Sequence, residues 1–354
     1  MHSVKNLLVT GGCGFIGSNF VRYLLEESEF SGRIINIDKL TYAGNPENLS
    51  DIEETLPARY KFIQGDICDQ DLLNHIFDAY KIDAICHFAA ESHVDRSIVE
   101  PDAFIRTNII GTFALLETAK ANLARIHLFH HISTDEVFGS LPEEGFFTEE
   151  TSYKPNSPYS ASKASSDHLV RAYHKTYGLP ITVSNCSNNY GPYQFPEKLI
   201  PLMILNAMQG KPLPVYGDGK NVRDWLYVRD HCAAIWTIME RGRRGETYNI
   251  GGKTEMENIE IVKMICDVLD NSTKRLENQS RQELITFVKD RPGHDRRYAI
   301  DFSKLTKELG WSPSESLETG LSKTIKWYID NEEWVRHIKT GEYLSWIRQH
   351  YGSG

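Results

Sequence analysis

The first half of the chain alternates short apolar runs with longer stretches of mixed character. Residues 6–10 form an apolar run stopped by glycines, and residues 33–38, 60–64, 84–90, 126–132 and 181–184 repeat the pattern. Runs of this length, bounded by turn residues and without in-and-out alternation, predict strands buried on both faces. Between them, residues 18–27, 72–80, 101–122 and the stretch opened by Ser157-Pro158 carry helical spacing. Strand alternating with helix predicts an α/β fold, a Rossmann-like doubly wound parallel sheet.

The rhythm breaks after about residue 188. Residues 188–230 are rich in Pro, Gly, Tyr and Asn, with turn signals at Gly191-Pro192 and Tyr216-Gly-Asp-Gly219. Beyond them, residues 256–269 and 317–332 read as helices and 284–289 as a short strand. The expected division is a first domain over 1–187 and a smaller C-terminal lobe over 188–354. Segments around 231–251 are expected to return to the first domain. Such a lobe would lie over the carboxyl edge of the sheet, where ligands bind in open α/β folds.

Composition narrows the function classes. With 39 basic and 48 acidic residues the net charge is −9, which argues against nucleic acid as a partner. No apolar run approaches the ~20 residues that span a bilayer, and the N-terminus leads into a strand rather than resembling a signal peptide. The six cysteines are scattered without C-x-x-C spacing. Free thiols in a reducing cytoplasm are expected, with no metal site.

Gly12, Gly14 and Gly17 satisfy G-x-G-x-x-G after the first strand, and the same stretch read from Gly11 satisfies G-x-x-G-x-x-G. Glycines there let the backbone turn sharply and approach a pyrophosphate at a helix N-terminus. Asp38, ending the second strand, suits the ribose hydroxyls and would repel a 2′-phosphate, so NAD is expected over NADP. Lys39 beside it is a cation that could hold such a phosphate. Asp66 and Ile67 follow the third strand, where adenine would lie.

Tyr159 and Lys163 stand four residues apart, on one face of a helix. An ammonium close to a phenol favours the phenolate, so this tyrosine is expected to accept a proton from a sugar hydroxyl. Thr134 is followed directly by Asp135 and Glu136. Oxidation or epimerisation needs only the Tyr and Lys, whereas elimination of water needs a base and an acid as well. Two adjacent carboxyls with opposite roles require separated pKa values. For a phosphorylated substrate, Arg223 and Arg291 offer guanidinium forks, assisted by Lys198, Asn188 and His294, and Tyr216 offers a ring for a base.

Gly11–Gly17, His87-Phe-Ala-Ala-Glu-Ser-His-Val-Asp-Arg-Ser97, Ser133-Thr-Asp-Glu-Val-Phe-Gly139 and Tyr159-x-x-x-Lys163 resemble extended short-chain dehydrogenase/reductases acting on nucleotide sugars. The Thr-Asp-Glu triplet resembles the dTDP-glucose 4,6-dehydratase family. The likeness continues through Asn188–Tyr193, Pro214–Tyr216, Arg223–Trp225 and Arg291–Asp295, and it departs at Phe138, where relatives often carry tyrosine. The resemblance implies a tightly held, recycled NAD touched by Gly11, Gly14, Phe15, Ile16, Gly17, Asp38, Lys39, Leu40, Thr41, Asp66, Ile67, Phe88, Ala89, Ala90, Ser92, Thr107, Tyr159, Lys163 and Asn189. It also implies that Ser92, Thr134, Leu199, Pro214, Val215, Asn258 and Asp295 join the substrate residues above. Its roles are Tyr159 as base at the sugar 4-hydroxyl, Thr134 on the same oxygen, and Lys163 on the nicotinamide ribose. Glu136 would be the base at C5 and Asp135 the acid at the 6-hydroxyl. A homodimer packed through helices around 101–122 and 158–177 is implied as well.

Physical reasoning leaves the nucleotide base open, so UDP- or CDP-glucose stays an alternative to dTDP-glucose. Epimerases and decarboxylases share the C4 oxidation but have no use for Asp135-Glu136. A cofactor-sensing regulator would lack the tyrosine or the lysine.

Overall fold

The computed structural model describes residues 4–272 and 280–338. Residues 1–3, at the expected lead into the first strand, and 339–354, at the end of the expected second lobe, lie outside the described residues.

In chain order the strands are β1 (Asn6–Thr10), β2 (Arg33–Asp38), β3 (Tyr60–Gln64), β4 (Ala84–His87), β5 (Leu128–Thr134), β6 (Ile181–Cys186), β7 (Asn188–Tyr190), β8 (Leu213–Tyr216), β9 (Val222–Tyr227), β10 (Thr247–Ile250), β11 (Glu255–Glu257) and β12 (Ile285–Val288). Seven of them form one sheet in the order β10-β6-β5-β4-β1-β2-β3, parallel throughout. The strand order reverses beside β1, and β1 and β4 leave a crevice at their carboxyl ends.

Side-chain alternation sends Leu7 and Val9 of β1 into one core and Leu8 into the other. Helices cover both faces, which is why these strands read as unbroken apolar runs. β10 lies 61 residues beyond β6 in the chain yet pairs with it, Thr247 opposite Val183. The intervening helix Val228–Arg241 packs on Phe15–Glu26 across the first core.

A second core gathers Ile200, Leu205, Val215, Ile261, Leu269, Leu321 and Tyr328. Two small sheets frame it, β11-β9-β7 and β12-β8. The helix Leu199–Met208 was hidden in a stretch that reads as irregular. Its sequence is apolar on almost every side because it is buried in that core, so it offers no amphipathic stripe to detect.

The expected single helix over 101–122 is three segments, Pro101–Phe104, a π-helical Ile105–Gly111, and Thr112–Ala121. The wider turn lets Asn108 bond across, donating to Ser162 at 2.8 Å and accepting from the Glu91 amide at 2.9 Å.

Candidate active site

A cavity of about 420 Å³ runs from the carboxyl ends of β1–β5 to the second lobe. At one end β1 passes into the helix Phe15–Glu26, whose N-cap is Gly14 with no side-chain cap, so its first amides are not claimed by a capping side chain. A Cβ on Gly11 would sit 2.7 Å from the Ala89 backbone, and one on Gly17 2.3 Å from the Gly11 carbonyl. Neither position has room for a side chain, and Gly11 adopts φ +71°.

Asp38 is the anchor of this end. Its carboxylate accepts from the Cys13 amide at 2.9 Å and the Leu40 amide at 2.8 Å, fixing the glycine turn. Two further lone-pair sites remain for ribose hydroxyls. Burial raises its pKa, which those two amide bonds oppose. Lys39 is engaged with Asp66 at 2.9 Å rather than offered to a 2′-phosphate. The cradle, the uncapped helix start and the carboxylate fit NAD.

At the centre, β5 ends at Thr134 and a 3-10 turn, Asp135–Phe138, follows at once. Thr134 caps that turn: its Oγ1 accepts from the Glu136 amide and donates to Asp135 Oδ1, each at 3.3 Å. The helix Pro158–Tyr177 starts with a Ser157–Ser160 capping box and Pro158 in its first turn, which fixes Tyr159 and Lys163 against β5. Thr134 lies close enough to the Tyr159 phenol to lower its pKa, against burial and Glu136.

The ammonium of Lys163 donates to the Ile132 carbonyl at 2.7 Å. The expected lowering of the Tyr159 pKa by Lys163 is not what the structure shows. Burial, then Glu136, push the phenol well above its usual range.

The two carboxyls differ in setting. Asp135 is 1% exposed. Burial raises its pKa well above the usual range, and the neighbouring Glu136 adds to the shift. Burial raises Glu136 as well, but Arg291, Lys198 and Arg223 oppose it. Of the two, Asp135 is pushed further toward its protonated form, while the cations draw Glu136 toward its anion.

The far end is polar. Arg291 pairs with Asp95 at 2.8 Å, and Lys198 donates to the Ser92 carbonyl at 2.9 Å. Arg223 is held by the Asp295 carbonyl at 2.9 Å and lies over the Tyr298 ring. Side-chain oxygens of Asn188, Gln194 and Asn258, and nitrogens of Trp225 and Arg291, are buried without a hydrogen-bond partner among the described residues. All five residues line the cavity, so a polar ligand there would satisfy them.

Of the residues singled out from sequence, all line this cavity except Gly12, which packs on the Asn36 side chain, and Asp135, Leu40, Val215 and Asp295. Asp135 lies behind Thr134. Leu40 contributes its amide to Asp38. Val215 points into the second core because strand alternation turns only Pro214 and Tyr216 outward. Asp295 is occupied by Tyr298 at 2.6 Å and Asn156 at 2.7 Å, and it positions Arg223 rather than facing the cavity.

Glu91, His93, Asp95, Gln194, Phe195 and Glu197 line the cavity and were not singled out. His93 and Asp95 sit inside the His87–Ser97 block, and Glu197 precedes Lys198, so proximity to chosen residues was the available signal.

Comparison with known proteins places this geometry. Residues 8–324 match the family model described as GDP-mannose 4,6 dehydratase. A dTDP-glucose 4,6-dehydratase of Salmonella typhimurium is 55% identical, with 98% of each chain covered. The chain belongs to the dTDP-glucose 4,6-dehydratase type of extended short-chain dehydrogenase/reductases.

Solved structures agree. That of a dTDP-glucose 4,6-dehydratase from Streptomyces venezuelae, with NAD and a second molecule bound, is 46% identical. It has a TM-score of 0.88 and covers 94% of this chain and 100% of its own. The Bacillus anthracis dTDP-glucose 4,6-dehydratase in complex with NAD is 49% identical, TM-score 0.84, covering 95% and 100%. The family and the cradle at Gly11–Gly17 agree on NAD as cofactor.

Proposed function

We propose that this protein is an NAD-dependent dTDP-glucose 4,6-dehydratase, a hydro-lyase that converts dTDP-glucose to dTDP-4-keto-6-deoxyglucose and water. The observation that carries the reading is the pair Asp135-Glu136, of unequal acidity, beside Tyr159 and Thr134. An epimerase has no task for that pair.

Held by the Gly11–Gly17 turn and Asp38, NAD would supply a hydride acceptor for C4, the same hydride for C6, and positive charge near the buried phenol. Tyr159 takes the proton of the 4-hydroxyl, and Thr134 holds the same oxygen. Lys163 holds the nicotinamide ribose. The C4 ketone acidifies the C5 hydrogen, which Glu136 removes as general base. Asp135 supplies the proton that leaves with the 6-hydroxyl. That proton crosses the Thr134 hydroxyl, which touches Asp135 and lines the cavity. Arg223, Arg291 and Lys198 bind the diphosphate, and Asn188, Asn258 and His294 assist.

Residues 1–187, with the returning segment around 231–251, form the NAD-binding part in this reading, and the remainder from 188 to 354 binds the nucleotide sugar. A homodimer packed through the helices around 101–122 and 158–177 is supported by apolar side chains left exposed there: Ile105 at 47%, Ile110 at 49%, Phe113 at 44% and Tyr177 at 46%. No helix among the described residues is long and apolar enough to cross a membrane. A cytoplasmic setting suits the six free cysteines.

The test is mass spectrometry of dTDP-glucose incubated with the purified protein in deuterated water without added NAD. Loss of one water with one deuteron at C5 is expected. Absence of water loss from dTDP-, UDP- and CDP-glucose, with NAD supplied, would sink the proposal.

A further inference from the structure

The wall of the cavity beside Asp38 is a short segment tied down at both ends. The Leu40 amide is held by Asp38, and the Asn45 amide donates to the Cys13 carbonyl of the glycine turn at 3.0 Å. Between these ties Thr41, Ala43 and Gly44 line the cavity, and Tyr42 does not. Its ring reaches instead across to chain that comes from elsewhere. Phe195 meets it edge-on with centroids 5.7 Å apart, and the Arg96 guanidinium stands 3.6 Å over its centre. Its hydroxyl donates to Glu197 Oε1 at 3.0 Å. Phe195 and Glu197 line the same cavity from the second lobe, and Arg96 comes from the helix Val94–Val99 after β4.

One tyrosine thus latches three separate segments together at the cofactor end of the cavity. We propose that Tyr42 is a latch that retains NAD between turnovers, with Phe195, Glu197 and Arg96 as its keeper. The wall formed by 41–44 must swing away for a dinucleotide seated on Gly11–Gly17 and Asp38 to leave, and it cannot swing while Tyr42 stays bound on three sides. The substrate end has no such tie to Tyr42, so sugar nucleotides exchange while NAD stays. This fits a reaction that ends with its cofactor in the form in which it began, and the inference rests on that reading of the function. An affinity difference of this kind resides in the dissociation rate. Ring, cation and carboxyl acceptor each contribute to holding the latch shut.

The experiment measures release of NAD from the purified holoenzyme, trapped by an NAD-degrading enzyme in solution, for wild type, Tyr42→Phe and Tyr42→Ala. Thermal unfolding of each protein stripped of NAD runs in parallel. Tyr42→Phe keeps the ring and loses one hydrogen bond, so release should quicken roughly three- to ten-fold. Tyr42→Ala should quicken it at least about thirty-fold, with the stripped protein's unfolding temperature moved little by comparison. Release unchanged in both variants overturns the latch. So does faster release matched by an equal loss of stability in the stripped protein, which would make Tyr42 a packing residue only. Wild-type protein that neither carries nor binds NAD would instead overturn the reading of the function beneath it, which separates the two failures.

Discussion

The two ends of the cavity are built on opposite plans. The NAD end is made of backbone: glycines without room for a side chain, an uncapped helix start, and one carboxylate that itself holds two amides. The substrate end is made of long charged side chains, and these hold one another, Arg291 on Asp95 and Lys198 on the Ser92 carbonyl. A backbone site is as rigid as the sheet that carries it. A side-chain site needs partners to hold its shape, and each partner becomes part of the electrostatics. Perturbation at the first end should therefore act by displacing atoms, and at the second by changing charge.

The catalytic pair between the ends gives the largest expected effect. Glu136→Gln keeps shape and removes the base, so overall turnover should fall by about 10²–10⁴. Oxidation at C4 should survive, and reduced nicotinamide should accumulate in a stopped-flow absorbance trace. Full turnover in this variant would refute the assignment of the base. Asp135→Asn should permit C5 exchange with deuterated water while blocking water loss, which mass spectrometry separates.

Gly17→Ala tests displacement. The new Cβ would lie 2.3 Å from the Gly11 carbonyl and 2.8 Å from Gly12 Cα, both backbone atoms that cannot step aside alone. Overpacking of this kind costs about 1–3 kcal/mol, so NAD binding by calorimetry should weaken about ten- to hundred-fold. Substrate affinity of the NAD-saturated protein should change far less. If substrate binding fell equally, the two ends would not be separable.

The same contrast explains what could be read from the sequence. The alternation of strand and helix, the glycine turn and Asp38 were legible because each is local: strand, turn and helix follow one another within Asn6–Glu26, and Asp38 ends the next strand. Tyr159 and Lys163 were legible because four residues along a helix is a spatial statement. At the substrate end Arg223 and Arg291 are 68 positions apart and on different elements, and no periodicity links them. The fit of guanidinium to phosphate named them, while resemblance named Val215 and Asp295, which alternation on β8 and the bonds to Tyr298 and Asn156 turn from the cavity. Asp135 was named for its chemistry, and only the fold shows it behind Thr134. The Lys163 contact with Ile132 was likewise invisible, because the carbonyl belongs to a strand packed beside the helix rather than to its sequence neighbourhood.

Arg291 tests charge, with the smallest expected effect. Burial raises the Glu136 pKa, and Arg291 is the strongest of the cations opposing that rise, ahead of Lys198 and Arg223, while Asp295 adds to it. A base works only as the anion, so the acidic limb of kcat/KM marks the pH at which Glu136 gains its proton in the free enzyme. Arg291→Met removes an opposing cation. The Glu136 pKa then rises further, and the limb must move to higher pH. Arg291→Lys keeps the charge and loses the fork, so KM should rise about ten-fold through weaker diphosphate binding, with the limb nearly in place. The measurement is kcat/KM across pH for wild type and both variants. A limb that shifts equally in both would assign the effect to geometry, and the substrate end would then obey the same plan as the NAD end. A limb that moves in Arg291→Met alone would show that the residue binding the substrate's anionic portion also sets the acidity of the catalytic base.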